Sequence, residues 1–205
     1  MIQIRRLEKP NILERNEAEW FANFIASGKD RPDPKKYAHK DIKDKLMQMS
    51  FNKCFYSEYK FSENEGEVDH YIEIKEDKNG AFAWDNLYLS LKQVNNGKTP
   101  NSIIPINNTL DPCNDSDEEI EQHVYFKSGE IYSSTPKGSE TIKKYRLDHP
   151  LLNQLRANKL IEFYETLQIL SNNQIKENGR DLTEAEIVIL RRFAKPDYPF
   201  SLMFR

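Results

Sequence analysis

A short run of alternating apolar and polar residues, Glu67 to Lys75, limits the possible folds more than any other stretch of the chain. From Val68 to Ile74 every second residue is apolar or a histidine, and the residues between them are Asp, Tyr and Glu. A period of two is typical of a half-buried strand. Apolar residues at helical spacing precede this run, from Asn11 to Ser27, and return in the C-terminal third. The sequence therefore predicts an α+β fold in which N-terminal and C-terminal helices flank a small strand-containing unit.

The helical regions carry start and stop signals. After Gly28 and a proline-rich break, Asp41 to Phe51 predicts a second helix with Asp41 as its N-cap. Near the C-terminus, Thr183 and Glu186 have the spacing of a capping box. These signals divide the chain into an N-terminal helical region (1–51), a core (52–115), an irregular or hairpin segment (116–148) and a C-terminal helical region (149–205).

The core is predicted to consist of short elements. The stretch "KCFYSEYKF" predicts an aromatic turn or small hairpin, and Asn79-Gly80 predicts a turn followed by a loop. The stretch "LYLSLKQVNNGKT" predicts an extended segment that enters a short helix, ended by Asn96-Gly97. Downstream of the core, "HVYFKSGEIYSS" predicts a hairpin that turns at Ser128-Gly129.

Composition excludes some classes of protein. The chain has 205 residues, enough for one domain or for one domain with a small appendage. No apolar run approaches the roughly 20 residues that a membrane span needs, and the N-terminus lacks the apolar segment of a secretory signal. We therefore expect a cytoplasmic protein that does not contact a membrane. The net charge is −3, so any binding of nucleic acid requires a local basic surface or a partner that attracts the phosphates.

The chain has two cysteines, Cys54 and Cys113. The simplest interpretation is that both are reduced thiols without a chemical role. The count excludes a four-cysteine zinc ribbon. A mixed zinc site that adds His123 is conceivable, but no C-x-x-C spacing supports it.

Three polar motifs follow one another in the core: Asp69-His70, Asp85-Asn86 and Asn95-Asn96-Gly97-Lys98. Each has an ordinary structural explanation, namely a hydrogen-bonded pair, a turn and a helix C-cap. Together and in this order they resemble the HNH endonuclease family, in which two strands and a helix hold one divalent ion. The resemblance implies a ββα-metal core over residues 52–115.

The resemblance also implies a role for each residue in phosphodiester hydrolysis. His70 corresponds to the general base, because a histidine that titrates near neutrality can take a proton from water. Asp69 and Asn95 correspond to the metal ligands, and two oxygen donors favour Mg²⁺ or Mn²⁺. Asn86 corresponds to the residue that braces the loop and orients the base, and Lys98 to a phosphate contact. Since neighbouring residues of an ideal strand point to opposite faces, we expect the strand to be irregular at Asp69-His70.

Sequence around these motifs narrows the resemblance to one group over nearly the whole chain. The stretches "MIQIRRLEKP", "KCFYSE", "WDNLYLSLKQVNNGK", "LDPCND" and "YPFSLMFR" are similar to the PtuB-like HNH nucleases of Septu and retron-associated anti-phage defence systems. That group implies a complex with an ABC- or SMC-like ATPase, and in some systems a retron reverse transcriptase with its RNA/DNA hybrid. The substrate would be DNA or tRNA. The helical flanks, 11–51 and 149–193, are the expected docking surfaces.

The chain departs from that group at its zinc-binding cysteines. Ser57 stands where the second cysteine of the first pair is expected, and Val94 stands at a cysteine position of the second pair. These departures count against a structural zinc, and we expect packing of Phe55, Tyr56 and Tyr59 to replace it. They also motivate one alternative, a catalytically inactive HNH-fold adaptor or nucleic-acid-binding subunit. A second alternative is an unrelated helical binding module, which would lack a two-strand-plus-helix unit at 66–98.

Overall fold

Helices occupy both ends of the chain in the computed structural model, which describes residues 1–62 and 65–205. The N-terminal region contains α1 (Asn11–Ala26), α2 (Pro34–Tyr37) and α3 (Lys40–Met49). The middle of the chain contains α4 (Lys92–Gly97), α5 (Asp117–His123) and α6 (Pro136–Tyr145). The C-terminal region contains α7 (Pro150–Lys176) and α8 (Glu184–Arg191). Short 3₁₀ turns lie at Lys78–Ala81, Trp84–Asn86, Ile106–Asn108, Arg192–Ala194 and Ser201–Phe204.

The strands form small antiparallel hairpins, so the predicted α+β class is confirmed. Strand β1 (Glu67–His70) pairs with β2 (Leu87–Ser90). Strand β3 (Val124–Lys127) pairs with β4 (Glu130–Ser133), and this hairpin turns at Ser128-Gly129 as predicted. Both turn residues have positive φ, the backbone conformation that such tight turns require.

Several helix ends agree with the sequence signals, and one does not. Thr183 and Glu186 form the predicted capping box, and α4 ends at Gly97 as predicted. The helix predicted from Asp41 begins earlier, and Asp41 as its N-cap is wrong. The His39 side chain accepts a hydrogen bond from the Asp41 N–H at 3.2 Å and is the N-cap. Asp41 therefore lies in the first turn, where its negative charge faces the positive end of the helix dipole.

The predicted strand over the whole alternating run is too long. Strand β1 ends at His70, and residues 71–77 form bends and turns. The reason lies in the backbone of Ile72, whose N–H and C=O both pair with the side chain of Asn86 at 2.6 and 3.0 Å. Backbone groups engaged in this way cannot continue a strand ladder.

One hydrophobic core draws on all four predicted segments. Leu13, Leu87, Ile131 and Leu152 come from different segments and belong to the same buried cluster. The aromatic side chains expected near Cys54 are part of it, with Phe55 and Tyr56 fully buried and Tyr59 packed at its edge. The predicted boundaries at 51, 115 and 148 therefore mark changes in sequence pattern, while the four segments share one hydrophobic core.

A buried ionic cluster joins both ends of the chain to the core. The carboxylate of Glu58 accepts from the Met1 ammonium at 2.9 Å, from Lys53 Nζ at 3.2 Å and from Ser201 Oγ at 2.8 Å. The side chains of Glu58 and Lys53 are each 2% exposed. None of the helices in the described part of the chain is long and apolar enough to cross a lipid bilayer.

Candidate functional site

Strands β1 and β2 and helix α4 form a compact unit that carries most of the predicted site residues. Asp69 lies opposite Tyr88 and His70 opposite Leu87 in the hairpin. All four residues of β2 are buried, because this strand lies inside the core. Helix α4 follows β2 after one residue and packs against β1, with Val94 as its buried anchor. Residues 67–97 are thus arranged as two strands followed by a helix.

A cavity of about 630 Å³ opens beside this unit. Asp69, His70, Asn95 and Lys98 all line it. Asn86 is buried behind it and is absent from its described lining. The far wall comes from outside the unit, and includes Arg31 and Tyr37 from the N-terminal region and Glu73 and Glu76 from the turn after β1.

The imidazole of His70 is fixed in one orientation. Its Nε2 lies 3.0 Å from the carbonyl oxygen of Ala81. A carbonyl can only accept, so Nε2 carries the proton and Nδ1 of the neutral ring holds the free lone pair. The ring of Tyr37 packs against the imidazole with 4.6 Å between centroids. Burial lowers the pKa of His70 below its ordinary 6.5, against smaller opposing effects of the Ala81 hydrogen bond and the Asp69 charge.

The carboxylate of Asp69 is engaged on one side only. Its Oδ2 accepts hydrogen bonds from Tyr56 Oη at 2.8 Å and from Lys98 Nζ at 2.9 Å. Among the described residues, no donor bonds to Oδ1. Pairing is regular through His70, so the irregularity expected at Asp69-His70 begins one residue later. Both side chains nevertheless reach the same cavity, because His70 is the last residue of the strand.

The amide of Asn95 is oriented by a carboxylate outside the cavity. Its Nδ2 donates to Glu67 Oε2 at 3.1 Å, which leaves the amide oxygen as its free acceptor. One carboxylate oxygen from Asp69 and one amide oxygen from Asn95 suit a hard divalent ion that keeps several waters. The donor chemistry therefore fits Mg²⁺ or Mn²⁺. Within residues 1–62 and 65–205, no cluster of three or more His, Cys, Asp or Glu has the geometry of a metal site.

Asn86 joins three segments around the cavity. Its Oδ1 accepts from the Ile72 N–H at 2.6 Å, and its Nδ2 donates to the carbonyl oxygens of Ile72 and Gly80, each at 3.0 Å. Both amide hydrogens are therefore engaged, and the side chain links the turn after β1 to the 3₁₀ turn Lys78–Ala81. That 3₁₀ turn also presents the Ala81 carbonyl to His70.

Lys98 points into the protein. Its Nζ contacts Asp69 Oδ2 at 2.9 Å, the His70 carbonyl at 2.9 Å and the Tyr71 carbonyl at 3.3 Å. An ammonium has three N–H donors, so all are engaged. A contact with a phosphate would require Lys98 to release one of these oxygens.

Cysteine and histidine positions do not converge on a zinc site in the described residues. Cys54 is buried, and its Sγ accepts from the Leu91 N–H at 3.3 Å. Burial raises the pKa of the Cys113 thiol to about 11. His123 bonds through Nδ1 to Thr135 Oγ1 at 2.6 Å. Cys54 and His123 therefore bond to different partners.

Sequence reasoning missed several residues that shape the site. Tyr37 packs on His70 from 33 residues away, and no local pattern marks it. Tyr56 was expected only as a packing residue, and its bond to Asp69 was not predicted. Arg6 donates to the carbonyls of Trp84, Asp85 and Leu87 and so holds the segment that precedes β2. Its position in "MIQIRRLEKP" gives no sign of this role.

No model of a known protein family matches the chain, and no curated protein matches it significantly.

Proposed function

We propose that this protein is an HNH-type, metal-dependent endonuclease subunit that hydrolyses phosphodiesters of DNA or tRNA. One observation carries the proposal: the strand–strand–helix unit presents a neutral histidine and two oxygen donors to a single cavity. The order of Asp69, His70, Asn86 and Asn95 along the chain supports the same family.

His70 acts as the general base. Its Nδ1 lone pair takes a proton from the attacking water, while the Nε2–H bond to Ala81 holds the ring. Burial keeps the imidazole neutral at physiological pH. Asn86 acts through this arrangement, because it positions the 3₁₀ turn that supplies the Ala81 carbonyl.

Asp69 and Asn95 are the residues that would hold Mg²⁺ or Mn²⁺. The ion would supply charge stabilisation at the scissile phosphate and the leaving oxygen. Glu67 fixes the Asn95 amide so that its oxygen stays available. Tyr56 fixes the Asp69 carboxylate through Oδ2, the same oxygen that Lys98 contacts.

The helical flanks suit a protein partner, which we propose is an ABC- or SMC-like ATPase that controls cleavage. Several apolar side chains of α7 are exposed, including Ile161 at 54% and Tyr164 at 58%. On α8, Val188 is 56% exposed. If the gene lies beside a retron, we propose that the retron reverse transcriptase and its RNA/DNA hybrid are further partners.

The ion pair between Lys98 and Asp69 favours a second candidate, a catalytically inactive adaptor of the same kind of complex. The ammonium already neutralises the carboxylate that would bind the metal. In an adaptor, Lys98 would remain permanently paired with Asp69. In a nuclease, the divalent ion would bind at Oδ1 or displace the ammonium.

Metal binding and cleavage, measured separately, test these candidates. Calorimetric titration with Mn²⁺ should give saturable binding that Asp69→Ala abolishes. With Mg²⁺ or Mn²⁺, the purified protein should nick supercoiled plasmid or cut tRNA, and His70→Ala should lower the rate by roughly 10²–10⁴-fold.

The matched control is His149→Asn. His149 caps α7 by accepting from the Leu151 N–H, and asparagine preserves such a cap. This variant should cleave normally. Absence of Mn²⁺ binding in the unmodified protein would favour the adaptor, and cleavage that survives His70→Ala would refute the role of His70.

A further inference from the structure

A second cavity adjoins the one that contains His70. Its volume is about 480 Å³, and it shares Arg31 and Pro32 with the first. It lies between α1 and the segment that leads into α2, and we call it the basic groove. Its lining includes Trp20, Lys29, Lys35 and Lys36.

Charge in the basic groove is opposite to that of the chain. Among the described residues, Lys29, Arg31, Lys35 and Lys36 line it and Asp33 is its one carboxylate, although the chain has a net charge of −3. Asp33 is the N-cap of α2, and its Oδ1 accepts from the Lys35 N–H at 2.9 Å.

The neighbouring His70 cavity has the opposite balance. Its lining includes four carboxylates, from Asp30, Asp69, Glu73 and Glu76, and three basic side chains. An acidic pocket beside a basic groove separates the place that attracts a cation from the place that attracts phosphates.

An aromatic side chain lies among the lysines. Trp20 packs edge-on against Phe82 with 5.8 Å between ring centroids, which fixes the indole. Lys36 Nζ lies 5.8 Å from the centre of the same ring. Nucleobases stack on such fixed aromatic rings, and cations beside the ring bind the flanking phosphates.

The cationic segment is held in shape before any ligand binds. Pro32 and Pro34 restrict its backbone. Lys78 Nζ donates to the Lys29 carbonyl oxygen at 3.4 Å and ties the segment to the 3₁₀ turn Lys78–Ala81. A stiff segment loses less conformational entropy when it binds.

From these observations we infer that the basic groove binds a single strand of nucleic acid. Lys29, Lys35 and Lys36 contact its phosphates, a base stacks on Trp20, and Arg31 lies where the strand passes into the His70 cavity. The inference rests on the proposed function in one respect, namely that this strand is the substrate. Binding itself requires no catalysis.

Fluorescence titration in EDTA tests the groove without cleavage. The probe is fluorescein-labelled oligothymidylate of about 20 nucleotides, longer than the roughly 4–16 nucleotides of known single-strand sites. The His70→Ala protein should bind it, with quenching of Trp20. Reversing Lys35 and Lys36 to Glu should weaken binding roughly ten-fold or more. It should also reduce the salt dependence, by about 0.7 in slope for each phosphate that the variant no longer neutralises. Trp20→Leu should weaken binding roughly five-fold or more.

The matched control reverses Lys127 and Lys176, two exposed lysines outside the described lining of both cavities, to Glu. This variant has the same net charge as the groove variant and should bind within about two-fold of the parent. Thermal melting of each variant separates loss of binding from loss of folding. The inference is overturned if the parent fails to bind, if both double variants bind equally, or if polyglutamate competes as well as oligothymidylate. If the groove binds but no cleavage occurs, the proposed catalysis fails while the groove stands.

Discussion

Two contacts of His70 control different properties of its ring. The Ala81 carbonyl selects the tautomer and so decides which nitrogen is basic. Packing against Tyr37 contributes to the burial that lowers the pKa. A base that accepts a proton from water must be neutral in the resting protein. The two contacts therefore keep the imidazole neutral and determine which ring nitrogen holds the free lone pair.

Cleavage should persist into mildly acidic solution. A lowered pKa means that His70 stays neutral below pH 6.5, so the acid limb of the pH–rate profile should lie below that value. Tyr37→Ala removes the packed ring, raises the pKa towards 6.5 and should move the acid limb upwards. The profile of kcat/KM and NMR titration of the imidazole measure both effects. An acid limb above pH 6.5 in the unmodified protein would contradict this assignment.

The residues that sequence could identify are those whose neighbours along the chain explain them. Asp69, His70 and Asn95 stand at positions that a strand and a short helix bring together. Tyr37 and Tyr56 reach the site only through tertiary packing, which leaves no periodic signal in the sequence. The sequence could not predict where the Lys98 ammonium lies either, because its position depends on the carbonyl oxygens of His70 and Tyr71.

In the 3₁₀ turn Lys78–Ala81, the backbone of Gly80 lies close against the side chain of Asn86. A Cβ on Gly80 would lie 2.4 Å from Asn86 Nδ2. The sequence marks Gly80 as a turn residue, yet its φ is not positive. Glycine is needed here because the Asn86 amide occupies the space of a side chain.

Gly80→Ala should disrupt the Asn86 bonds. If the amide shifts, buried partners at Ile72 and Gly80 lose their hydrogen bonds, at a cost of about 2–4 kcal/mol in the free energy of unfolding. For a chain of this size the melting temperature should fall by roughly 4–16 °C, and cleavage should fall with it.

Gly97→Ala is the matched control. Its new Cβ would meet Arg146 Cδ at 2.6 Å, and that side chain is flexible enough to move. Alanine is also the better helix former, so we expect a change of less than about 1 kcal/mol. Equal melting temperatures for the two variants would show that the Asn86 amide does not exclude a side chain at position 80.

Element types were predicted better than their lengths in most of the chain, but the segment 116–148, predicted as irregular or hairpin, also contains helices α5 and α6. Helices α1, α7 and α8 and both hairpins have local signals in periodicity, caps or turn residues. Strand β1 was predicted too long, because the alternation continues after the backbone has turned. The side chain that ends the strand, Asn86, is 14 residues from Ile72 in the sequence.

The Glu58 cluster links the first residue, the core and the C-terminal segment. Burial alone would raise the pKa of Glu58, but the Met1 and Lys53 ammonium groups outweigh this effect and hold it below the ordinary 4.5. The charged carboxylate therefore stabilises the fold. This contribution is complete above pH 4.5 and is lost as the pH falls through the folded-state pKa.

Glu58→Gln should leave two buried ammonium groups without their carboxylate. The expected loss is about 3–5 kcal/mol in the free energy of unfolding at neutral pH. Urea denaturation at several pH values should also show a weaker loss of stability below pH 4.5 than in the parent. Glu165→Gln, at an exposed position, should change the free energy of unfolding by less than about 0.5 kcal/mol. Identical acid sensitivity in parent and Glu58→Gln would contradict the assignment.

Tyr37 and Arg31 form part of the wall of the His70 cavity, so a fragment that lacks the N-terminal region would not keep the cavity. A fragment limited to 52–115 would retain Asp69, His70, Asn86 and Asn95 in its sequence. It would lose the Tyr37 ring that packs on the imidazole and the Arg31 cation in the far wall of the cavity. Moving this group of side chains into another scaffold therefore means moving the first fifty residues with it.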